Sequence, residues 1–287
     1  MRQTLEVLRS AVASHPCYVV AYSGGTDSTV LLDLVARFAP VPPMALVHVR
    51  TGLEPEETLV HVTATADRYH LPLVVARPAE RPEDLWRRRG LYPIAGKSSG
   101  RTWTSSHQGY GFRADCSSCC QASKIDPGRK ATRELGATMQ LVGLRGNADS
   151  ASRGLHAEKH QGVYDADGLA IAAPLTGWTD LRVASYVRRH RLALNPVSVR
   201  GGEAGCIPCA GGAQFTTSSL RRARLYSPER LVAILATTGL GEALLAVRFS
   251  RPLPAVRRAL ALLGGIGNVP PHLFDFIRAT PMPGYER

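Results

Sequence analysis

Through the first two-thirds of the chain, short apolar runs alternate with stretches whose apolar positions recur every three to four residues. CYVVAY (17–22), MALVHV (44–49) and LPLVVA (71–76) are compact apolar runs, and their length and flanking Pro, Gly and Ser predict strands. TDSTVLLDLVARF (26–38) and PEETLVHVTATADRYH (55–70) carry helical spacing, the second with Pro55 in the favoured first-turn position and acids beside it. MQLVG (139–143) predicts a further strand and LRVASYVRRH (181–190) a further helix. Strands alternating with helices imply right-handed crossovers, so the expected fold class is α/β, a doubly wound and mostly parallel sheet.

Two regions break this rhythm. KSSGRTWTSSHQGYGFRAD (97–115) is rich in Ser, Gly and aromatics without periodicity, which predicts a mobile loop, either a functional lid or a disordered segment. From about Thr216 to Arg278 the pattern is helical with Pro and Gly punctuation. The expected organisation is a main domain over 1–212 and a small basic helical appendage over 213–287. No internal repeat is evident.

Composition narrows the function classes. The 287 residues are 44% hydrophobic and 20% charged, which excludes wholesale disorder, collagen-like repeats and coiled coils. No stretch reaches the roughly 18–20 consecutive apolar residues of a membrane span. Arg2, Glu6 and Arg9 interrupt the N-terminal segment where a secretory signal needs an apolar run. The expected location is the cytoplasm, with no membrane partner. The formal charge is +12, and from Leu181 onward there are 15 Arg, no Lys and 5 acidic residues. Coding bias explains Arg in place of Lys but not the scarcity of acids, so a polyanionic partner is expected.

Tyr22-Ser23-Gly24-Gly25-Thr26-Asp27-Ser28 joins the first predicted strand to the first predicted helix. Glycines let backbone N–H groups converge on a phosphate, and a helix N-terminus adds about half a positive charge. Ser23 and Ser28 can add hydroxyl donors, while Asp27 can orient Mg²⁺ or cap the helix. The Gly-Lys-Ser/Thr ending of a Walker A loop is missing.

This SGGTDS string after a strand closely resembles the PP-loop of ATP pyrophosphatases, which cleave ATP between the α- and β-phosphates. VRTGLEPEET (49–58), with Thr51, Gly52 and Thr58, is similar to the segment after the second strand in the phosphoadenylylsulfate reductase branch. Gly143-Leu144-Arg145 with Asp149, Ser150 and Arg153 is similar to that branch's arginine-bearing motif, with Asp149 where a Glu is expected. PLTGWTDLRVASYVRRHRLALNP (174–196) resembles its Trp-bearing helix. The resemblance runs from about Cys17 to Cys209 and implies an adenine nucleotide alpha hydrolase-like, Rossmann-like fold. It implies ATP at Ser23, Gly24, Gly25, Thr26, Asp27, Ser28, Thr51, Gly143, Arg145 and Arg153, with catalytic roles for Asp27, Ser28, Lys124 and Arg145. Trp178 reads as core packing in preference to a base-stacking platform, and Lys97 and Arg101 read equally as solvated loop charges.

Six cysteines without a secretory signal point to metal or catalytic roles in preference to disulfides. Cys17, alone at the start of an apolar run, reads as a buried small hydrophobe. Cys119-Cys120 and Cys206-x-x-Cys209 lie about 85 residues apart and can form one four-sulfur cage for zinc or an iron–sulfur cluster. Adjacent ligands on one helix crowd a single ion but suit two irons of a cube. Cys116 is a fifth candidate, with Cys116/Cys119 as the alternative pair. The string CC-x-x-x-K-x-x-P with a distant CxxC is similar to the [4Fe-4S] site of adenylylsulfate reductases, which implies that Lys124 lies near cluster and phosphates.

Those reductases use a nucleophilic cysteine in a C-terminal tail, and residues 210–287 contain none. The combination resembles the ATP pyrophosphatase component of DNA phosphorothioation systems. That resemblance implies a nucleic-acid substrate, most readily DNA, a cysteine desulfurase as sulfur donor, and further subunits of a modification complex. The alternatives are a sulfonucleotide reductase drawing its thiol from Cys116 or Cys17, a tRNA-thiolating enzyme, and a non-catalytic nucleotide-binding scaffold.

Overall fold

The computed structural model describes residues 1–82, 84–85, 119–146, 151–200 and 204–206, with the backbone alone at 151–153. The chain divides into two compact units, one of Met1–Arg50, Glu56–Arg77 and Ile125–Gly205, the other of Thr51–Pro55, Pro78–Lys124 and Cys206–Arg287. The predicted loop over 97–115 and the appendage over 213–287 lie outside the described residues. Among the described residues no helix is long and apolar enough to cross a membrane.

The first unit is built on a six-stranded sheet. In chain order its elements are α1 (Arg2–Ser14), β1 (Tyr18–Ala21), α2 (Thr26–Phe38), β2 (Leu46–Val49), α3 (Glu56–Arg68), β3 (Leu73–Ala76), α4 (Asp126–Glu134), β4 (Met139–Val142), α5 (Ala151–Lys159), β5 (Val163–Ala166), β6 (Leu169–Ala172), α6 (Asp180–His190) and α7 (Pro196–Val199). The strand order is β3-β2-β1-β4-β6-β5. Every neighbouring pair is parallel except β5–β6, which is antiparallel. The expected doubly wound, mostly parallel α/β sheet is the fold observed.

Side-chain alternation along β1 explains why both faces are covered. Tyr18 and Val20 join one core with Leu8 of α1, Leu31 of α2, Val62 of α3 and Tyr186 of α6. Val19 points the other way and packs with Val47 of β2 and Ala131 of α4. Each fully buried aliphatic side chain contributes about 1.5–3 kcal/mol, so a strand apolar on both faces is held firmly.

The sequence pattern predicts α2 at its observed limits and the ends of the other expected elements within about two residues. It does not reveal α1, α4, α5 or the β5–β6 hairpin. Helix α1 buries only Thr4, Leu8, Ala11 and Val12, a narrow stripe among charged residues. The hairpin turns at Asp167-Gly168, both with positive φ (58° and 77°), the Asp-Gly chemistry of a tight two-residue turn. One expectation is corrected: Cys17 is exposed. The strand starts one residue later, and Cys17 serves through its carbonyl, which accepts from Thr138 N–H at 2.8 Å and Thr138 Oγ1 at 3.2 Å.

Candidate functional site

Strand order reverses between β1 and β4, because the chain passes from β1 outward through β2 and β3 and then returns to β4 on the other side. In open α/β sheets the crevice at the carboxyl ends of two such strands takes the ligand. The loop after β1 is Tyr22–Gly25 and the segment after β4 is Gly143–Gly146, so both predicted nucleotide motifs arrive at this reversal.

Gly24 adopts φ +75°, a conformation that L side chains avoid. A Cβ there would also meet Val62 Cγ2 at 3.0 Å and Thr58 Cγ2 at 3.3 Å. Gly25 is the N-cap residue of α2, with extended backbone and no side-chain cap. The first intrahelical bond is Thr29 N–H to Gly25 O at 3.0 Å, so the amides of residues 26–28 lie ahead of it. Ser28 Oγ and Thr29 Oγ1 both donate to Gly25 O at 2.9 Å, and Gly25 N–H donates to Ser23 Oγ at 3.3 Å. Ser23 Oγ and Ser28 Oγ lie 3.1 Å apart. The loop is thus tied to the first turn of its own helix by hydroxyls, with Ser23 exposed at its rim.

The segment after β4 approaches the same turn. A Cβ on Gly143 would lie 3.0 Å from Ser28 N and 3.1 Å from Asp27 C, both backbone atoms that cannot yield. Only glycine lets β4 end this close to α2. Two residues on, Arg145 Nε donates to Asp27 Oδ2 at 2.8 Å and its Nη1 donates to Asp180 Oδ1 at 2.7 Å. Arg145 is 7% exposed. Burial by itself depresses its pKa, but the hydrogen bonds and charges of Asp27 and Asp180 outweigh this and hold the pKa above the ordinary value. The guanidinium is charged, largely buried and held by two helices at their first turns.

A shell of buried hydrogen bonds supports the loop. Asn195, 1% exposed, caps α7 by accepting from Val197 N–H at 2.9 Å and donates to Thr58 Oγ1 of α3 at 3.1 Å. Tyr22 Oη meets Thr29 Oγ1 at 3.1 Å, His61 Nε2 at 3.0 Å and Thr65 Oγ1 at 3.4 Å. Burial, with Arg68 nearby, lowers the His61 pKa. Deeper on α2, Asp33 accepts from Arg37, Tyr186 and Tyr69. Trp178 is a core residue, as expected from the sequence: its Nε1 donates to Thr4 Oγ1 at 2.7 Å, and Arg182 stacks on its ring at 4.4 Å.

Cys119, Cys120 and Cys206 belong to the second unit. Cys119 is buried, and Cys120 and Cys206 are half-buried. Cys119 and Cys120 are helical and run into a π-helical turn, Gln121–Ile125, which carries Lys124. Such turns recur at functional sites. Cys119 Sγ is 3.9 Å from Ser123 Oγ. Thr51, predicted at the nucleotide, is in this unit; its Oγ1 donates to Glu54 Oε2 at 2.6 Å and lies 3.4 Å from Cys206 Sγ. The donor chemistry suits a thiolate-bound metal, but among the described residues no three His, Cys, Asp or Glu side chains are gathered to hold one. Cys116, Cys209, Lys97, Arg101, Asp149, Ser150 and the Arg153 side chain lie outside the described residues.

Of the predicted nucleotide residues, Ser23, Gly24, Gly25, Thr26, Asp27, Ser28, Gly143 and Arg145 come together at the strand reversal. Asp180 and Asn195 have no role legible in the sequence. Asp180 reads there as a first-turn acid, and only the Asn-Pro step at 195–196 signals a cap.

The profile of the phosphoadenosine phosphosulfate reductase domain family matches residues 17–212. The chain is 34% identical over 186 residues to a phosphoadenosine 5'-phosphosulfate reductase of Thiocapsa roseopersicina, covering 65% of this chain and 68% of that one. It is 37% identical over 93 residues to a tRNA(Ile)-lysidine synthase of Methylococcus capsulatus, covering 29% of this chain and 21% of that one. Among solved structures, the phosphate complex of phosphoadenylyl-sulfate reductase from Candida auris aligns with a TM-score of 0.47 at 21% identity, covering 71% of this chain and 87% of that one. These relatives are enzymes, and the chain belongs to the phosphoadenosine phosphosulfate reductase domain family, within the PP-loop superfamily.

Proposed function

We propose that this chain is an Mg²⁺-dependent ATP pyrophosphatase that cleaves ATP to AMP and pyrophosphate and activates a nucleic-acid backbone, DNA in the first instance, for sulfur incorporation. The observation that carries the reading is the glycine loop at the strand reversal, with a buried, charged Arg145 facing the first turn of α2. A backbone phosphate oxygen is a poor leaving group. Transfer of the adenylyl group to it, with loss of pyrophosphate, turns it into AMP that sulfur can displace.

Ser23, Gly24, Gly25, Thr26 and Ser28 hold the phosphates in this reading, and Arg145 with Arg153 balances charge developing on the departing pyrophosphate. Asp27, an oxygen donor a quarter exposed, suits Mg²⁺, which neutralises phosphate charge when bound. No side-chain nucleophile is required, so electrostatic stabilisation supplies most of the acceleration. Cys119, Cys120, Cys206 and Cys209, with Cys116 as the alternative ligand, suit a [4Fe-4S] cluster and less well zinc. A cluster supplies a site for electron or sulfur handling. A cysteine desulfurase and further subunits are the expected partners, and the cytoplasm the expected location. The net charge of +12 supports the acceptor assignment.

A second reading, sulfonucleotide reduction, is favoured by the 34% identity to a reductase. It requires an accessible thiol, and exposed Cys17 meets that requirement. The test is incubation of the purified protein with ATP labelled on the α-phosphate and, in parallel, on the γ-phosphate, with and without duplex DNA. AMP and pyrophosphate are expected, whereas ADP and orthophosphate refute the proposal. Sulfite formed from a sulfonucleotide with thioredoxin establishes the reductase, and ATP binding without turnover establishes a scaffold.

A further inference from the structure

We propose that the outward face of α6 and its cap, carrying Arg182, Arg188, Arg189 and Arg191, is the surface that grips the DNA backbone. The inference rests on the nucleic-acid reading above and adds the place where the acceptor binds. Between Leu181 and Gly202 there are five arginines and no acidic residue. Arg188, Arg189 and Arg191 are exposed, and among the described residues none of the three, nor Arg182, makes an ion pair. Arg2, Arg37, Arg50, Arg81 and Arg129 each face a carboxylate, while Arg9, Arg68 and Arg77, exposed and likewise without an ion pair among the described residues, are scattered over α1, the end of α3 and the position just past β3 instead of clustered.

The helix dipole favours cations in a last turn, which accounts for Arg188 and Arg189. It does not account for Arg191, which stands in the left-handed cap at φ 51°, or for Arg182 in the first turn. Arg182, Ser185 and Arg189 share one face at i, i+3 and i+7, with Ser185 exposed between the two arginines. Arg182 is held in place by its stack on Trp178 at 4.4 Å, so part of the cost of ordering it is already met. Val183 and Tyr186 bury the opposite face. Arg188, Arg189 and Arg191 crowd the last turn and cap of α6 with no acidic residue between Leu181 and Gly202, and a phosphate backbone is the partner whose charge offsets their repulsion.

The helix also gives a measure. It starts at Asp180, which is bonded to Arg145 at the candidate nucleotide site. Its 11 residues span about 16 Å at ~1.5 Å each, the axial rise of roughly five nucleotides of one strand. A strand lying along α6 therefore reaches from Arg191 to the site of adenylyl transfer.

The test measures affinity for a duplex DNA across a salt series by fluorescence anisotropy. Three proteins are compared with the unaltered chain: Arg188→Gln/Arg189→Gln/Arg191→Gln, the same three changed to Lys, and a control with Arg9, Arg68 and Arg77 changed to Gln. Each lost phosphate contact lowers the slope of log K against log salt by about 0.9, so the first variant loses roughly 2.7 while the Lys variant and the control keep the slope. An unchanged slope in the first variant, or an equal loss in the control, overturns the surface alone. Absence of DNA binding by the unaltered chain overturns both the surface and the DNA acceptor, while pyrophosphate release without DNA leaves the ATP chemistry standing. Tighter binding of transfer RNA than of duplex DNA overturns the choice of DNA. Equal ATP affinity in all four proteins verifies that the fold is intact.

Discussion

Arg145 and Asp27, 118 residues apart in the chain, are joined by a 2.8 Å hydrogen bond from Nε to Oδ2. The bond ties the end of β4 to the first turn of α2, the two elements that flank the strand reversal. Because Nη1 is engaged by Asp180 at 2.7 Å, the guanidinium is fixed from two sides. Lysine offers a single point charge and cannot span both carboxylates. Arg145→Lys is expected to lower kcat for pyrophosphate release by about 10²-fold, the usual effect of removing one preorganised donor. Circular dichroism should show an unaltered fold, and an active Arg145→Lys enzyme refutes the role.

Asp180 positions Arg145 by accepting from Nη1 at 2.7 Å. Its side chain is 82% exposed, so the pair is screened by water and worth no more than about 1 kcal/mol. Asp180→Asn is expected to raise the KM for ATP by roughly fivefold and leave kcat within about twofold. Asp180→Glu restores KM. A fall in kcat with KM unchanged contradicts this division of labour.

Gly24→Ala tests the loop conformation. The change places a Cβ at φ +75° and 3.0 Å from Val62 Cγ2, and the left-handed backbone alone costs ~1–2 kcal/mol. Tm is expected to fall by roughly 2–8 °C, and ATP binding, followed by calorimetry, to be lost. Binding retained at full strength removes the loop from the nucleotide site.

Asp33 links α2 to α6 and to the turn after α3 by accepting from Tyr186 at 2.7 Å and Tyr69 at 3.4 Å, besides Arg37 at 2.7 Å. Burial and then the Asp33 carboxylate push the Tyr69 pKa up to about 12. Asp33→Ala leaves buried hydroxyls without this acceptor and is expected to cost about 2–3 kcal/mol in urea unfolding, with Asp33→Asn costing less. A change under about 0.5 kcal/mol in the Ala variant refutes the account.

His61 makes stability depend on pH in a stated direction. Burial lowers its folded pKa below the ordinary 6.5, so on acidification the unfolded chain takes the proton first. Its contribution is complete above pH 6.5 and is lost as pH falls through the folded pKa. Tm should drop on titration from about pH 7 to about pH 5, and less steeply in His61→Gln. Parallel pH profiles of the two proteins exclude His61 as a source.

Much of this architecture is legible because it is local. Tyr18–Ala21 is apolar at every position since both faces of β1 are covered, and Gly24-Gly25 betrays a backbone that only glycine adopts. Helix α1 is hidden because its buried stripe, Thr4, Leu8, Ala11 and Val12, is narrow and begins with a polar residue. The exposure of Cys17 is hidden because an apolar run does not reveal which of its ends projects beyond the sheet.

From its order of residues alone, this protein is committed to alternating strands and helices, to a glycine turn ahead of α2, and to two sets of closely spaced thiols. Those features depend on side-chain periodicity and backbone freedom, which act over a few neighbouring residues. That Arg145 meets Asp27 and Asp180, that Asn195 braces Thr58, and that Thr51 keeps company with Cys206 was decided only by the tertiary structure. Strand order and packing bring together residues separated by as many as 174 positions, as in the Trp178–Thr4 hydrogen bond, and no pattern along the chain encodes which charge will lie opposite which.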